Sequence, residues 1–135
     1  MKVNVSNSAN VGNYSATVKL MNFANSSSGA VGTASGTKAL TVYKDNTSTT
    51  ALATTNYASL QAFTTTAITE GAFTDVEIAA GATKLFIVTL DTSNAVATNT
   101  VTVGMSAGNI TWTDGYTTSI TTVNSLPLLS KTLTY

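Results

Sequence analysis

The chain has 135 residues, which suits one domain whose core buries about two-thirds of the surface that the unfolded chain exposes. Six lysines balance six acidic residues, and the absence of His, Cys and Arg excludes imidazole catalysis, thiolate chemistry, disulfides and structural zinc. Without a basic surface to neutralise phosphates, we expect no nucleic-acid partner, and the residue types suggest no cofactor.

Threonine makes up about a fifth of the sequence and takes the place of charged residues. Because Thr fits the solvent-facing side of a strand, this bias indicates β-structure with a neutral, hydroxyl-rich surface. Such a composition is typical of bacterial cell-surface proteins. The sequence has no apolar run long enough to cross a membrane and no signal-peptide core. The chain is therefore either cytosolic or a domain excised from a longer secreted protein with Met1 added, and we favour excision.

The N-terminal third contains one clear strand between two polar segments. Residues 1–13 predict an edge strand or a linker, and residues 14–23 alternate as a strand. The side chains predicted to face the core in that strand are Tyr14, Ala16, Val18 and Leu20. Residues 24–37 have Val31 as their single sizeable apolar side chain, which predicts a long mobile loop.

The middle of the chain begins with another alternating segment. Residues 38–44 predict a strand with Leu40 and Val42 inward and Thr41 and Tyr43 outward, ending at an Asp45 turn. Residues 47–69 are ambiguous between two short strands and a strand followed by a helical turn, and we favour two strands.

The stretch 78–91 predicts the nucleus of the sheet. Its second half, 85–90, is a run of β-branched and aromatic residues that suits a central strand buried on both faces. Residues 73–78 also read as a strand. The connection 79–83 contains Gly81, so the two strands are predicted to form a hairpin.

The last third predicts four further strands. Residues 99–105 place Val101, Val103 and Met105 on one face, and 110–113 lead into Asp114-Gly115, a two-residue hairpin turn with 116–123 as the return strand. Pro127 opens a final strand. Leu129, Lys131, Leu133 and Tyr135 share one face of that strand.

These elements together predict an all-β fold over residues 1–135 as a single domain. Seven to nine short strands, with turn signals every eight to twelve residues, favour an antiparallel Greek-key β-sandwich of the immunoglobulin-like type. A jelly roll is the alternative.

Several short motifs resemble a known class of domain. These are Gly81-Ala82-Thr83-Lys84 leading to Asp91-Thr92, then Trp112-Thr113-Asp114-Gly115, Leu126-Pro127-Leu128 and the closing segment 131–135. Together they resemble the terminal β-sandwich domains of large surface proteins from uncultured small-genome bacteria. The resemblance covers roughly the second half of the chain. It implies architecture and an extracellular or cell-surface location, while leaving the molecular role open.

An intramolecular isopeptide bond is one candidate chemistry, since Cys-free sandwiches of bacterial adhesins can join a Lys amine to an Asn side chain. The reaction needs a neutral, desolvated Lys and a nearby carboxylic acid. The candidate residues are Lys84, Lys131, Glu77, Asp75 and Asn124. The alternative for each Lys is a stem that reaches to the rim or guards a sheet edge.

Two binding sites are weaker candidates. Calcium could use oxygens of Asp91, Asn94 or Asp45, although each turn supplies one carboxylate and an ordinary Asx-turn explains it. Trp112 and Tyr116 bracket the Asp114-Gly115 turn and could form an aromatic platform for a sugar, although packing as a cross-strand pair or core plug explains them better.

The absence of most catalytic residue types favours a non-enzymatic structural module with a spacing, shielding or assembly role. Its expected partners are neighbouring domains of the same surface protein or copies of itself. A ligand-binding or adhesin module that recognises a glycan or a host surface is the main competitor. An enzyme would need a paired carboxylate in a cleft. No membrane insertion is expected.

Overall fold

The computed structural model of the chain describes residues 1–9, 14–33, 36–45, 51–56 and 72–135. Within these ranges the chain forms ten strands and no helix. The strands are β1 (Lys2–Ser6), β2 (Ala16–Met21), β3 (Ala24–Ser27), β4 (Lys38–Lys44), β5 (Ala51–Asn56), β6 (Val76–Ile78), β7 (Thr83–Leu90), β8 (Thr100–Met105), β9 (Ile110–Thr113) and β10 (Leu128–Thr134). The antiparallel, sandwich-like arrangement confirms the predicted all-β class, with ten strands rather than seven to nine.

Four strands form the first layer, in the order β1-β7-β4-β5, with every neighbouring pair antiparallel. The predicted central position of residues 85–90 is confirmed, because β7 lies between β1 and β4 and buries Phe86 and Val88 almost completely. Leu40 and Val42 face the core from β4 as predicted. Thr41, predicted to face solvent, is also buried, so both faces of β4 are covered there.

The other two sheets lie end to end and form the second layer. β3 follows β2 directly in the chain, and β9 likewise follows β8. Because β2 pairs with β9 and β3 with β8, both antiparallel, the two sheets continue each other. The backbone N–H of Asn22 bridges the junction by donating to the Asn109 carbonyl at 2.8 Å. The strand order is β6-β2-β9 at one end of this layer and β10-β8-β3 at the other.

The core lies between the layers and contains side chains from both. On β8 the predicted inward residues Val101, Val103 and Met105 are all buried. Phe23 and Phe86 are the largest fully buried side chains. Each buried Val, Met or Phe stabilises the fold by about 1.5 to 3 kcal/mol through removal of apolar surface from water.

The prediction of a mobile loop over residues 24–37 was wrong in its described part. Ala24–Ser27 forms β3, and Val31 is completely buried. The Val31 carbonyl accepts a hydrogen bond from the backbone N–H of Asn94 at 2.9 Å. The polar sequence of β3 hid this strand, because its conformation comes from pairing with β8 rather than from apolar residues of its own.

The predicted hairpin between 73–78 and 85–90 was also wrong. β6 pairs with β2 in the second layer, whereas β7 pairs with β1 and β4 in the first. Gly81, at a φ of +70°, does mark a tight turn between them. The turn carries the chain from one layer to the other, because a Gly that permits positive φ fixes the bend but not the partner of the next strand.

Two other segments differ in detail from their predictions. In β2 a register shift between Val18 and Leu20 inserts Lys19, so Met21 enters the core and Leu20 is only half-buried. Tyr14 precedes the strand and is exposed. From the ambiguous segment 47–69, Ala51–Asn56 forms β5, and the remaining residues lie outside the described ranges.

The two long sides of the sandwich differ. On one side the backbone N–H of Thr74, just before β6, donates to the Leu52 carbonyl of β5 at 2.8 Å, which joins the two layers. On the other side β1 is the edge of the first layer and β10 the edge of the second. Two cavities lie along that side, and three of the candidate functional residues line them, namely Trp112, Asn124 and Lys131.

Candidate functional site

The larger cavity, about 880 Å³, lies between β10 and the facing part of the first layer, and we call it the β10 groove. Its apolar walls are formed by side chains of both layers. They include Met1, Val88, Leu90, Val103, Leu128 and Leu133. The α-amino group of Met1 donates to the Val88 carbonyl at 2.7 Å in this groove, and its burial lowers the pKa of that amine.

The odd-numbered residues of β10 face this groove, as the alternation predicted. Leu129, Lys131, Leu133 and Tyr135 all line it. They are nevertheless exposed, with Leu129 and Leu133 at 84% and 57%, because β10 is an edge strand with no strand beyond it. The phase of the strand was therefore predictable from sequence, but its lack of burial was not.

The second cavity, about 630 Å³, continues along the same side, and we call it the Trp112 groove. Ser125 and Leu128 line both cavities, so the two grooves adjoin. The Trp112 groove has a more polar wall, with Asn4 and Asn124 among its lining residues.

Trp112 lies in β9 and is half-buried beside this groove. Its indole N–H donates to the Thr122 carbonyl at 3.2 Å, and its backbone exchanges two hydrogen bonds with Ile120, at 2.9 and 2.8 Å. Tyr116 is 89% exposed and does not lie opposite Trp112. Trp112 and Tyr116 therefore do not form the cross-strand pair that the packing alternative predicted, because Ile120 lies opposite Trp112.

The turn after β9 is longer than the predicted two-residue hairpin. The Asp114 carboxylate accepts hydrogen bonds from the backbone N–H groups of Thr117 and Tyr116, at 2.7 and 2.9 Å. These bonds hold the pKa of Asp114 below its usual value, with the Thr117 bond the larger cause. Because the carboxylate closes a wider turn, the chain rejoins β9 only at Ile120, and 116–123 forms a single bridge rather than a return strand.

The candidate cross-linking residues are spread over both layers. Lys84 is half-buried on β7, opposite Val5 of β1, whereas Glu77 is exposed on β6, opposite Thr17 of β2. Asn124 is exposed in a turn at the Trp112 groove, and Lys131 is exposed on β10. Neither Asn124 nor Lys131 has the desolvation that the reaction needs.

Asp75, the other candidate acid, has a structural partner. Its carboxylate forms an ion pair with the Lys19 amine on the neighbouring β2 strand. Lys19 is also the residue inserted at the β2 register shift, so the same residue forms the bulge and the ion pair. Both side chains are partly exposed, and we expect the pair to stabilise the β2-β6 contact by less than about 1 kcal/mol.

Asp91 is the most constrained carboxylate in the described part of the chain. It accepts hydrogen bonds from the Ser93 hydroxyl and N–H and from the Thr33 hydroxyl and N–H, the last two at 2.6 and 3.1 Å. The side-chain bond from Ser93, followed by that from Thr33, holds the pKa of Asp91 far below its usual value. This network fastens the 31–33 segment to the end of β7.

The calcium hypothesis gains no second carboxylate at this place. Asn94 is next to the network, but its side-chain amide donates to the Gly32 carbonyl at 3.0 Å. Asp45 directly follows the last residue of β4, whereas the Asp91 N–H donates to the carbonyl of Ala39, near the start of β4. The two acids are therefore separated by about six residues of strand, or roughly 20 Å. Among the described residues, no group of three or more acidic or other metal-ligating side chains is found.

The free edge of β10 was anticipated only as the alternative explanation of Lys131. The Tyr135 N–H donates to the Asn99 carbonyl at 3.0 Å, so the odd-numbered residues of β10 direct their backbone groups toward β8. On β8, the Thr100 carbonyl accepts a hydrogen bond from the Ser28 N–H at 2.9 Å. Because Ser28 directly follows β3, on the other side of β8, this carbonyl points away from β10. Thr132 and Thr134 must then direct their N–H and C=O groups to the outside, whereas Leu128, beyond the register shift, lies opposite Met105.

The strand alternation alone would have revealed this edge only if the order β10-β8-β3 had been known.

No helix in the described residues is long and apolar enough to span a bilayer. Neither a known protein family nor a curated protein nor a solved structure matches this chain.

Proposed function

We propose that the chain is a non-enzymatic structural module of a secreted or cell-surface protein, and that its role is assembly. The observation that carries this proposal is that the carboxylates form contacts within the fold. Asp75, Asp91 and Asp114 are each held in contacts that join strands or close turns. Three of the six acidic side chains of the sequence therefore take part in contacts within the fold.

The surface supports the same proposal. Thr102 and Thr132 lie side by side on neighbouring strands and share a hydrogen bond between their hydroxyl groups at 2.9 Å. Thr100 and Thr134 form the next pair in register. A neutral surface of hydroxyl groups on paired strands suits a protein exposed to solvent outside the cell, and the Thr-rich composition is in keeping with that location.

The Trp112 groove favours a second candidate function, the binding of a glycan. Its volume of about 630 Å³ and its lining by Trp112, Asn4 and Asn124 match the apolar platform with a few polar groups found in small-ligand sites. The proposed structural role ranks first because the indole N–H of Trp112 is already bonded to Thr122.

A saccharide titration distinguishes the two candidates. Trp112 is the only tryptophan, so intrinsic fluorescence reports on this groove alone. We expect no change in emission with oligosaccharides of glucose, N-acetylglucosamine or mannose at millimolar concentration. A saturable change, accompanied by calorimetric binding that Trp112→Phe abolishes while Tyr116→Phe preserves it, would replace the structural role with glycan recognition.

A further inference from the structure

We propose that β10 pairs with the β10 strand of a second copy of this chain, antiparallel and around a two-fold axis at Leu133. The inference deepens the assembly role proposed above, on which it rests, by naming the partner and the edge. Its product is a continuous six-stranded sheet in the order β3-β8-β10 followed by β10-β8-β3 of the second copy.

The backbone of β10 offers the hydrogen-bonding groups for this pairing. Thr132 and Thr134 lie opposite Thr102 and Thr100 of β8, at positions where the two strands exchange no backbone bonds. Their N–H and C=O groups point to the free edge. An edge strand with such unpaired groups is a template for another strand.

The side chains along this edge are apolar and exposed. Of the six large hydrophobic residues exposed in the described part of the chain, Leu129, Leu133 and Tyr135 belong to this one segment. All three line the β10 groove. A second strand beside β10 would place its own odd-numbered residues over that groove and cover the apolar wall between the two layers.

The charge of this edge favours a copy of the chain over a charged partner. Lys131 is the only charged side chain between Leu128 and Tyr135, and the chain as a whole has no net charge, so two copies meet without long-range repulsion. The usual obstacles to edge pairing are lysines, prolines and β-bulges in the edge strand. Residues 129–134 contain no proline, the register shift lies outside the paired residues 131–135, and Lys131 is the single charge in them.

The two-fold axis at Leu133 follows from matching these groups. In that register Thr132 of each copy lies opposite Thr134 of the other. The N–H and C=O groups of both residues then form hydrogen bonds with the second copy. Leu133 meets Leu133 of the second copy in a pair without backbone bonds, where Cα atoms lie about 4.5 Å apart. Lys131 lies opposite Tyr135 of the second copy, so the two ammonium groups do not face each other.

The size of the contact predicts a weak dimer. In this register residues 131–135 of the two copies face one another, which is five residues from each copy and well below the 20 to 30 per partner of a standard interface. We therefore expect a dissociation constant in the high micromolar range, roughly 0.1 to 1 mM, rather than a permanent dimer.

Association of the full chain, measured by sedimentation equilibrium up to about 1 mM, tests this dimer. Leu133→Lys places like charges opposite each other and should weaken association about tenfold or more. Tyr14→Lys is the matched control, because Tyr14 has a similar exposure of 62% outside β10 and should leave association unchanged. A strict monomer at all concentrations, or equal effects of the two variants, overturns the pairing.

Disulfide trapping tests the register independently of affinity, because the natural chain has no Cys. Leu133→Cys should form a dimer under mild oxidation, since the expected Cα separation falls within the 4.4–6.8 Å range of disulfides. Thr54→Cys, exposed on the other edge strand β5, should not. If Thr54→Cys is trapped and Leu133→Cys is not, this inference fails while the assembly role survives. Glycan binding at Trp112 would instead overturn the assembly role itself.

Discussion

Asp91 shows how one side chain can hold two distant segments together. Its carboxylate joins Thr33 to the end of β7 through a hydroxyl and an N–H, and Ser93 completes the network. Hydrogen bonds to a charged acceptor stabilise by about 1.5 to 3 kcal/mol when buried, and less at a solvated position such as this. We attribute the placement of the buried Val31 to this anchor.

Substitution of Asp91 by Asn should lower the free energy of unfolding by about 1 kcal/mol at neutral pH. The folded-state pKa of Asp91 lies below its ordinary value, so its contribution is complete above pH about 4 and is lost as the pH falls further. The stabilities of the natural chain and Asp91→Asn should therefore converge in acid. Thermal unfolding between pH 7 and pH 2 measures both effects.

Asp45→Asn is the control for this experiment. It removes the same charge from an exposed turn, where no group in the described part of the chain donates a hydrogen bond to the carboxylate. If Asp45→Asn destabilises as much as Asp91→Asn, or if the difference between Asp91→Asn and the natural chain persists at pH 2, the anchor does not act as described.

The cross-linking hypothesis also belongs to single residues. Lys84 and Glu77 lie on strands of different sheets, and Asp75 is paired with Lys19. We expect the intact mass of the chain to equal the mass calculated from its sequence. The loss of one ammonia, localised by peptide mapping to Lys84 or Lys131, would contradict this expectation.

At the scale of the strands, the close approach of β10 to β8 depends on Gly104. A Cβ atom at this position would lie 2.6 Å from the Ser130 hydroxyl oxygen and 3.3 Å from the Ser130 Cα. Gly104→Ala should therefore push β10 away from β8 and cost about 1 to 3 kcal/mol in urea unfolding. The register shift in β10 between Leu128 and Lys131 occurs at the same place.

The double variant Gly104→Ala with Ser130→Gly separates this clash from the general effect of a substitution in a strand. Removal of the Ser130 side chain should restore part of the stability lost in Gly104→Ala, although Ser130→Gly alone should be slightly destabilising. Strict additivity of the two substitutions would show that the residues are not coupled.

The strands that sequence reasoning predicted best are those whose own side chains alternate. β4 and β8 show this clearly, and β7 stands out as an apolar run. β3 was missed because its residues are polar and its strand conformation is imposed by β8. The Asp114 turn was misjudged because the carboxylate, through its bonds to backbone N–H groups, closes a wider loop than Gly115 alone requires.

The candidate site was less predictable than the fold because it depends on which strands are edges. Lys131 was correctly placed in phase with Leu129 and Leu133, but the inference that it is desolvated required a neighbouring strand. Similarly, Glu77 is close to Lys84 in sequence, yet the turn at Gly81 sends the two residues into different layers. Sheet order is set by long-range contacts that local periodicity does not encode.

For the whole molecule, residues 1 and 135 lie at the same end of the sandwich. The Met1 amine bonds the Val88 carbonyl, and the Tyr135 hydroxyl donates to Thr92 at 2.8 Å, only four residues further along. Both contacts are made to the end of β7 and the segment that follows it, so Met1 and Tyr135 pack against the same part of the molecule.

The central claim is that β10 is a free edge that pairs with a second copy. Residue-resolved amide hydrogen exchange at low and high protein concentration tests it most directly. Leu133, whose N–H points toward β8, should be protected at both concentrations. The amides of Thr132 and Thr134 should exchange rapidly in dilute solution and become protected as the concentration rises. If Thr132 and Thr134 exchange rapidly at every concentration, or are already protected in dilute monomer, the claim is contradicted.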